Sequence, residues 1–298
     1  MQKTVFFSIA SAVLLSACGG GSGTSATLAP FINFSSIPEG AFTQTLDGIS
    51  QEVGFTQTPG GIVTDVSAIS APASGARATI GENAAGQINA SFSTTAGTNA
   101  AFNEAAGDLF GDVGFITATD SSNLDRSAFV INPFAIAWEY QTFGVWLTGL
   151  NGTSGRAAAG SFGASAAASA IPSSGNATYS GLAAGVYVDA VGNATVVDAL
   201  MTASANFTDR TLAFSTTNTR DILATPGASL SNLNLNGTLT YSPGVNSFTG
   251  SIASAGGGLA GTATGRFYGP EAQELGGTFG LRGPGTSTYL GGFGGVRQ

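Results

Sequence analysis

The sequence has few of the side chains that catalysis and metal binding usually require. It contains no histidine, one cysteine (Cys18) and one lysine (Lys3), and only 9% of its residues are charged. Ser-His-Asp, Cys-His and Ser-Lys sites each need a base or nucleophile that is absent once these two residues are set aside. A zinc site would have to be built from carboxylates alone, which is atypical, and no DxDxDG calcium loop is present. We therefore expect no cofactor, no metal and no catalytic group.

Positive charge is also scarce. The nine cations include Lys3, so eight arginines remain for the rest of the chain, against 17 acidic residues. Such a chain has no basic stripe that could follow phosphates. Nucleic acid is therefore not an expected partner.

The N-terminal residues predict a membrane anchor. The apolar run from Val5 to Leu15 follows Lys3 and is too short to span a bilayer, which is typical of a secretory signal. The residues Leu15-Ser16-Ala17-Cys18 match the lipobox of bacterial lipoproteins, in which the cysteine thiol is acylated; a chance cysteine after an ordinary signal peptide is the alternative. We expect residues 1–17 to be the signal peptide and residues 18–30 to be the lipidated Cys18 and a flexible tether, with the lipid bilayer as a partner.

Composition divides the rest of the chain into three parts. Residues 31–150 contain short apolar runs separated by Gly, Pro, Asn and Asp, which predict a β-rich domain. One of these runs, FAIAWEYQTFGVWLTGL, reads as a long strand with a kink at Gly144, and its residues Trp138 and Trp146 are expected in the core. Residues 151–175 are rich in Gly, Ala and Ser and predict a linker, and residues 176–298 form the last domain.

Residues 176–298 alternate between apolar and polar positions with a period of two. Met201, Ala203, Ala205 and Phe207 share one face of a segment whose other face is Thr, Ser and Asn, and seven similar segments can be counted. Eight such strands joined by short turns predict an up-and-down antiparallel β-barrel, and the whole chain is expected to be all-β. A two-sheet sandwich is the alternative fold.

Two carboxylate pairs and several tyrosines are the residues that could carry chemistry. Glu271 and Glu274 are three residues apart in PEAQEL, which favours one helical turn with Pro270 at its start; a structural role is preferred over a catalytic one. The second pair, Asp108 and Asp112, lies among glycines and favours a turn. Any of the six tyrosines, for example Tyr179 or Tyr187, could in principle bind iron, although such residues usually belong to strands.

The segment GRFYGPEAQELGGTFGL and the final Gly-rich strand resemble the end of the barrel in the transferrin-binding protein B family of surface lipoproteins, whose relatives include factor H binding protein. In this family a lobe consists of a handle-like domain followed by a barrel, and the full transferrin receptor subunit has two lobes. The lipobox and the FGVW segment at residues 143–146 resemble one such lobe. The motif residues, to which the resemblance gives a role in folding and export, are Gly265, Phe267, Tyr268, Gly269, Pro270, Glu274, Gly276, Gly277 and Phe279.

The resemblance implies a non-catalytic binding protein that is lipid-anchored in the outer membrane of a Gram-negative bacterium and displayed on the cell surface. It also implies an outer-membrane translocon that recognises the barrel. The ligand would be a host or environmental protein, an iron carrier or a solute, and no ligand-binding residue can be assigned from the family. A periplasm-facing structural lipoprotein and an integral outer-membrane barrel are the alternatives, and a carboxylate-dependent glycosidase is a third class.

Overall fold

The computed structural model describes residues 31–112, 115–224 and 227–298. The predicted signal peptide, Cys18 and the tether of residues 18–30 lie outside these ranges. The described residues are all-β, as the sequence predicted, with four short 3-10 turns at Phe34–Ser36, Glu104–Ala106, Ala168–Ala170 and Ser231–Leu233. No helix in these ranges is both long enough and apolar enough to cross a membrane.

The first sheet contains ten strands, all paired antiparallel. They are β1 (Phe42–Gln57), β2 (Val63–Val66), β3 (Ala73–Glu82), β4 (Ile88–Ser93), β5 (Asn99–Asn103), β6 (Leu109–Asp112), β7 (Phe115–Thr119), β8 (Arg126–Ile131), β9 (Gln141–Thr148) and β10 (Ser154–Gly163). The order is β5-β4-β3-β1-β10-β9-β8-β7-β6, and β2 pairs with β1. The sheet curls so far that Phe102 of edge strand β5 contacts Phe110 of edge strand β6, with ring centroids 6.5 Å apart.

The inside of this curl is filled by aromatic residues that we call the first-sheet core. Phe92 stacks on Trp146 at 5.5 Å between ring centroids, and Phe162 packs against both rings. The indole Nε1 of Trp146 donates a hydrogen bond of 3.1 Å to the carbonyl oxygen of Thr98, which satisfies the one polar atom of the buried ring. Trp138 is buried on the other side of the sheet, so both tryptophans are core residues, as predicted.

Two sequence expectations for the first domain are wrong. The run from Phe134 does not continue one strand, because residues 133–137 form a turn in which Ala137 has a φ of 53° and the backbone N–H of Trp138 donates to the carbonyl of Pro133. Strand β9 begins only at Gln141. Residues 154–163, expected within the linker, form β10, which pairs with both β1 and β9. Its alanines suit a central strand, because Ala158 faces one core and Ala157 and Ala159 face another.

The second sheet closes on itself as the predicted eight-stranded barrel. Its strands are β11 (Asn176–Val188), β12 (Ala194–Asn206), β13 (Thr211–Asp221), β15 (Leu235–Tyr241), β16 (Phe248–Ser254), β17 (Ala260–Tyr268), β18 (Glu274–Arg282) and β19 (Thr288–Arg297), and the two-residue strand β14 (Ala228–Ser229) pairs with β13. Each strand of the eight pairs antiparallel with its sequence neighbour, and β11 pairs with β19 to close the barrel. The alternation seen in the sequence determines which side chains point inward.

Aromatic rings fill the barrel core. Phe267 lies at the centre of a group of rings, at centroid distances of 5.3 Å from Phe248, 5.7 Å from Tyr241 and 5.9 Å from Tyr179. Met201 and other inward-facing residues of β12 are buried around this group. Eight strands give an interior that side chains can fill, and here they do so.

An inter-sheet core joins the two domains. It consists of residues from the outside of the first sheet and from the outside of the barrel, among them Phe143, Val145, Ala159, Ala184, Val186 and Leu290. This packing places the first sheet against strands β11 and β19 of the barrel.

Candidate functional site

The 265–283 motif forms the end of β17, a tight turn and the whole of β18. Tyr268 and Glu274 are opposite each other in the β17–β18 ladder, so only five residues connect the strands. The N–H of Ala272 donates to the carbonyl of Gly269, and both residues have positive φ, 83° for Gly269 and 55° for Ala272. The expected helical turn is therefore wrong, because residues 270 and 271 form the centre of a hydrogen-bonded hairpin turn and the chain is extended again from Glu274.

The two glutamates of the motif have different environments. Glu271 is exposed on the turn, whereas Glu274 is 1% exposed and faces the first sheet. Oε1 of Glu274 accepts a hydrogen bond of 2.6 Å from the backbone N–H of Glu139, and Oε2 accepts one of 3.1 Å from that of Tyr140. The pair is thus not a shared-proton site. Instead, Glu274 connects the barrel to the segment before β9.

Burial raises the pKa of Glu274 to about 7. Desolvation is the largest cause, since it disfavours the charged form, and the nearby charge of Glu139 acts in the same direction. Hydrogen bonds from the backbone N–H groups of Glu139, Tyr140 and Gln141 act in the opposite direction. The carboxyl is therefore one that titrates near neutral pH in the folded protein.

The whole outward face of β18 lies against the first sheet, beginning with Glu274. Thr278 donates from its hydroxyl to Oε1 of Gln51 at 3.0 Å, and Arg282 donates from its guanidinium to the carbonyls of Val66 and Ser67 at 3.0 and 2.8 Å. Gly280, between them, lies against Ile69. Every second residue of one strand thus makes an inter-domain contact, as the period of a strand requires.

Glycines allow the closest approach at this interface. A Cβ atom on Gly276 would lie 2.6 Å from Oε1 of Gln141 and 2.7 Å from Oγ of Ser161, and a Cβ on Gly294 would overlap the same Gln141 amide. The Gln141 side chain is fully buried, and neither polar atom of its amide has a hydrogen-bond partner in the described structure. Such a group is costly to bury. Next to it, the hydroxyls of Ser161 and buried Tyr268 are hydrogen bonded at 2.9 Å.

The remaining motif residues face the barrel interior or the solvent. Phe267 and Phe279 are fully buried in the barrel core. Gly265 and Gly277 are equally constrained, since a Cβ on Gly277 would lie 2.6 Å from the ring of Phe293 and one on Gly265 would overlap the ring of Phe248. Pro270 is exposed on the turn. The motif therefore contributes alternate residues to the barrel core and to the inter-domain contact.

A groove opens into the curl of the first sheet at the end where β1 begins. It has a volume of about 310 Å³. Phe42 and Phe134 form part of its wall, and their rings contact each other edge to face at 6.3 Å. Its other apolar lining residues include Ile80, Ile88, Ala90, Ile116 and Val130. The groove is a concave apolar site at the lower end of the size range of small-molecule pockets.

The structure separates the other candidate residues of the sequence from any common site. Asp108 accepts hydrogen bonds from the backbone N–H groups of Asn103 and Ser121, which is turn chemistry, and the side chain of Asp112 lies outside the described residues. Tyr179 is buried in the barrel core and donates its hydroxyl to the carbonyl of Ala272 at 2.7 Å. Burial raises the pKa of both Tyr179 and Tyr187. No group of three or more Asp, Glu or Cys residues in the described ranges could hold a metal ion.

Sequence reasoning missed the groove and the first-sheet half of the interface. Glu139, Tyr140 and Gln51 contact β18 from positions more than 130 residues away in the chain. No local spacing signals such contacts. The residue types give no signal either, because β1 has polar residues along its whole length and Gln51 does not stand out among them.

Solved structures of transferrin-binding and lactoferrin-binding proteins are similar to this chain. A transferrin-binding protein B variant from Haemophilus parasuis Hp5 is 17% identical, with a TM-score of 0.46. The match covers 74% of this chain and 53% of that chain. Isotype 1 transferrin-binding protein B from serogroup B Neisseria meningitidis is 16% identical, with a TM-score of 0.44 and coverages of 76% and 53%. The N-lobe domain of lactoferrin binding protein B of Moraxella bovis is 14% identical, with a TM-score of 0.37 and coverages of 64% and 91%. The chain spans about half the length of the first two proteins.

A family model provides the stronger comparison. Residues 171–297 match the model described as the C-lobe and N-lobe beta barrels of Tf-binding protein B, and this range contains all eight strands of the barrel. No curated protein matches the chain. The resemblance carried by the 265–283 motif is thus confirmed: the C-terminal barrel of this chain is similar to the barrels of transferrin-binding protein B.

Proposed function

We propose that this protein is a lipid-anchored surface lipoprotein of the outer membrane that binds a host or environmental protein, an iron carrier or a solute without catalysis. The observation that carries the proposal is the family match over the barrel, since the matched family is named for a binding activity. The lipobox ending at Cys18 supports the anchor, because an acylated cysteine with more than one chain gives stable attachment.

The geometry supports binding rather than catalysis. Of the two carboxylates in the motif, Glu271 is exposed and Glu274 is used to join the domains. Asp108 is occupied by backbone N–H groups in a turn. A glycosidase would need two carboxylates facing one cleft at a defined separation, and Glu271 with Glu274 does not supply them.

The barrel core is filled by aromatic side chains, so we place the ligand outside the barrel. The surfaces available to it are the loops at the barrel ends and the groove of the first sheet. The outward face of β15 and β16 is polar, with exposed Asn236, Thr238, Thr240, Thr249 and Ser251. These side chains support a barrel in water over one that faces lipid.

We also propose a domain order. A signal peptide covers residues 1–17, a tether covers residues 18–30, and the handle-like domain extends to the end of β10 at Gly163. Residues 164–175, which separate β10 from β11, then connect it to the barrel. The tether would let both domains stand away from the membrane.

Protease treatment of intact cells tests the location. Cells producing the protein should lose the barrel domain to an added protease before the outer membrane is permeabilised, while a periplasmic marker is retained. A chain in which an ordinary cleavable secretory signal replaces residues 1–18 is the control for anchoring and should appear in a soluble fraction. Protection of the wild-type barrel until permeabilisation would instead indicate a periplasm-facing lipoprotein with a structural role.

We also propose that an outer-membrane translocon recognises the motif, and variants in the turn between β17 and β18 test this. Pro270 and Glu271 are exposed there, so Pro270→Ala and Glu271→Gln change the surface of the motif without touching either core. Loss of surface display by a folded variant would support recognition of the turn. Normal display would limit the motif to folding.

A further inference from the structure

The groove of the first sheet combines an apolar interior with unpaired negative charge. Glu39 and Glu82 are two of its lining residues, and Glu39 is exposed while Glu82 is half-buried. No ion pair in the described ranges joins either carboxylate to an arginine. The carboxylates are therefore available to a ligand.

The arginines are engaged elsewhere. Four of them pair with acidic partners, namely Arg77 with Asp47, Arg126 with Asp120, Arg156 with Glu52 and Arg220 with Asp198. Arg266 donates a hydrogen bond to the Ser74 hydroxyl, Arg282 to the backbone carbonyls of residues 66 and 67, and Arg297 to the backbone carbonyl of Glu271. Arg210 lines a different pocket, beside Tyr241. No arginine lines the groove, so its field is negative without local compensation.

The wall of the groove is aromatic as well as apolar. Phe134 is 46% exposed on the turn that follows β8, yet its ring packs edge to face on Phe34 at 5.5 Å and on Phe42 at 6.3 Å. These contacts hold the ring in position beside the groove. Aromatic faces attract cations, and they do so more strongly where water is partly excluded.

We propose that the groove binds a small molecule that carries an apolar group and a positive charge, such as an arylalkyl ammonium ion. This inference rests on the proposed binding function and names the chemical class of a solute for it. The apolar group fills the space between Ile80, Ala90 and Ile116, and the cation lies at the rim with Glu39 and Glu82. The volume of about 310 Å³ fits a ligand of this size.

The test uses three probes that share a phenylbutyl group and differ in charge: 4-phenylbutylamine, 4-phenylbutan-1-ol and 4-phenylbutyrate. Binding to residues 19–298, produced without the signal peptide and Cys18, is measured by calorimetry or by saturation-transfer NMR at pH 7. The amine should bind at least about tenfold more tightly than the butyrate, with the alcohol between them. Equal affinity, a preference for the butyrate or no binding of any probe would overturn the proposal.

Variants assign the binding to the groove. Glu39→Gln with Glu82→Gln should reduce the affinity for the amine to that for the alcohol, whereas Asp65→Asn with Glu271→Gln, an exposed acidic pair outside the groove, should leave it unchanged. Ala90→Phe fills the groove and should abolish binding of all three probes, and Ile116→Phe serves if Ala90→Phe does not fold. If the affinity for the amine is unchanged both in the Glu39→Gln, Glu82→Gln variant and in the variant with the filled groove, the assignment to the groove is wrong.

The outcome is separable from that of the proposed function. A surface-exposed lipoprotein that binds none of the probes would disprove the groove inference alone. A groove that binds the amine in a protein shown to face the periplasm would disprove surface display alone.

Discussion

The backbone N–H of Glu139 donates a hydrogen bond of 2.6 Å to Oε1 of Glu274, across 135 residues of sequence and between two separate sheets. The carboxylate of Glu139 accepts in turn from the backbone N–H and the hydroxyl of Ser35, at 3.1 and 2.8 Å. One short segment before β9 therefore links the beginning of the described chain, the first sheet and the barrel. The arrangement explains why a carboxylate is present at an otherwise buried position, since it satisfies backbone donors that would be left without partners.

Removing the Glu274 carboxylate should destabilise the protein strongly. Glu274→Ala leaves the N–H groups of Glu139 and Tyr140 buried without an acceptor, and we expect a loss of about 3 kcal/mol in the free energy of unfolding. Glu274→Gln keeps one acceptor oxygen and should cost about 1 kcal/mol at pH 5. Urea unfolding of residues 19–298 measures both. Glu271→Gln, three residues away on the exposed turn, is the control and should stay within about 0.5 kcal/mol.

The stability of the folded protein should decrease between pH 5 and pH 8. Burial raises the pKa of Glu274 from 4.5 to about 7, so the folded state binds this proton more tightly than the unfolded state. The stabilisation is complete below pH 4.5 and is lost as the pH rises through 7, with a total of at most about 3 kcal/mol. Unfolding free energies across this range should show the decrease in the wild type and not in Glu274→Gln.

Histidine titration does not contribute to that measurement. The chain has no histidine. The hydrogen bond from Ser122 lowers the pKa of Asp120, and hydrogen bonds from Thr94, Thr98 and Arg156 lower that of Glu52 in spite of its desolvation, so these carboxyls titrate below the window. A pH dependence that is identical in Glu274→Gln would show that Glu274 is not its source.

The aromatic group at the centre of the barrel should dominate barrel stability. Phe267 is fully buried and its ring contacts those of Tyr179, Tyr241 and Phe248. Phe267→Ala should lower the free energy of unfolding by about 3–5 kcal/mol, through lost burial and the cavity that remains. Leu223→Ala is the comparison, because Leu223 is 67% exposed and should change stability by less than about 0.5 kcal/mol. Equal effects of the two changes would argue against a packed barrel interior.

The barrel could be predicted from the sequence because several of its strands, such as β12, have one exposed and one buried face. Met201, Ala203 and Ala205 are buried where the alternation places them, and the polar residues between them include exposed Thr202 and Ser204. The strands are also joined in sequence order, so no long-range choice of partner was needed. Together these features make the closed sheet the simplest solution.

The first domain and the site could not be predicted in the same way. Strand β10 is buried on both faces, so its run of Ala and Gly carries no alternation and looks like a linker. Glu274 accepts hydrogen bonds from the backbone N–H groups of Glu139 and Tyr140. Since a backbone N–H does not depend on the residue type, the sequence does not indicate these contacts. The groove arises from the curl of the first sheet, which brings β4 opposite β7 and β8 although they are distant in the strand order.

The glycines of β18 should prove essential for docking of the first sheet. A Cβ on Gly276 would lie 2.6 Å from Oε1 of Gln141, so Gly276→Ala should lower the free energy of unfolding by about 1–3 kcal/mol through overpacking. Gly258→Ala is a matched control, because a Cβ there meets no atom within 4 Å. Urea unfolding of both variants gives the difference.

A double-mutant cycle then assigns the strain to the Gln141 amide. This side chain is buried, and neither of its amide atoms has a hydrogen-bond partner in the described structure, so Gln141→Ala should itself cost little. In the Gln141→Ala background, Gly276→Ala should be less destabilising by about 1 kcal/mol, which is the size expected for residues in direct contact. Ser161 remains 2.7 Å from the new Cβ, so part of the cost should persist. If the effects of the two changes are strictly additive, β18 shifts away from the first sheet instead of pressing on Gln141. Gly276 would then be required only for its backbone conformation.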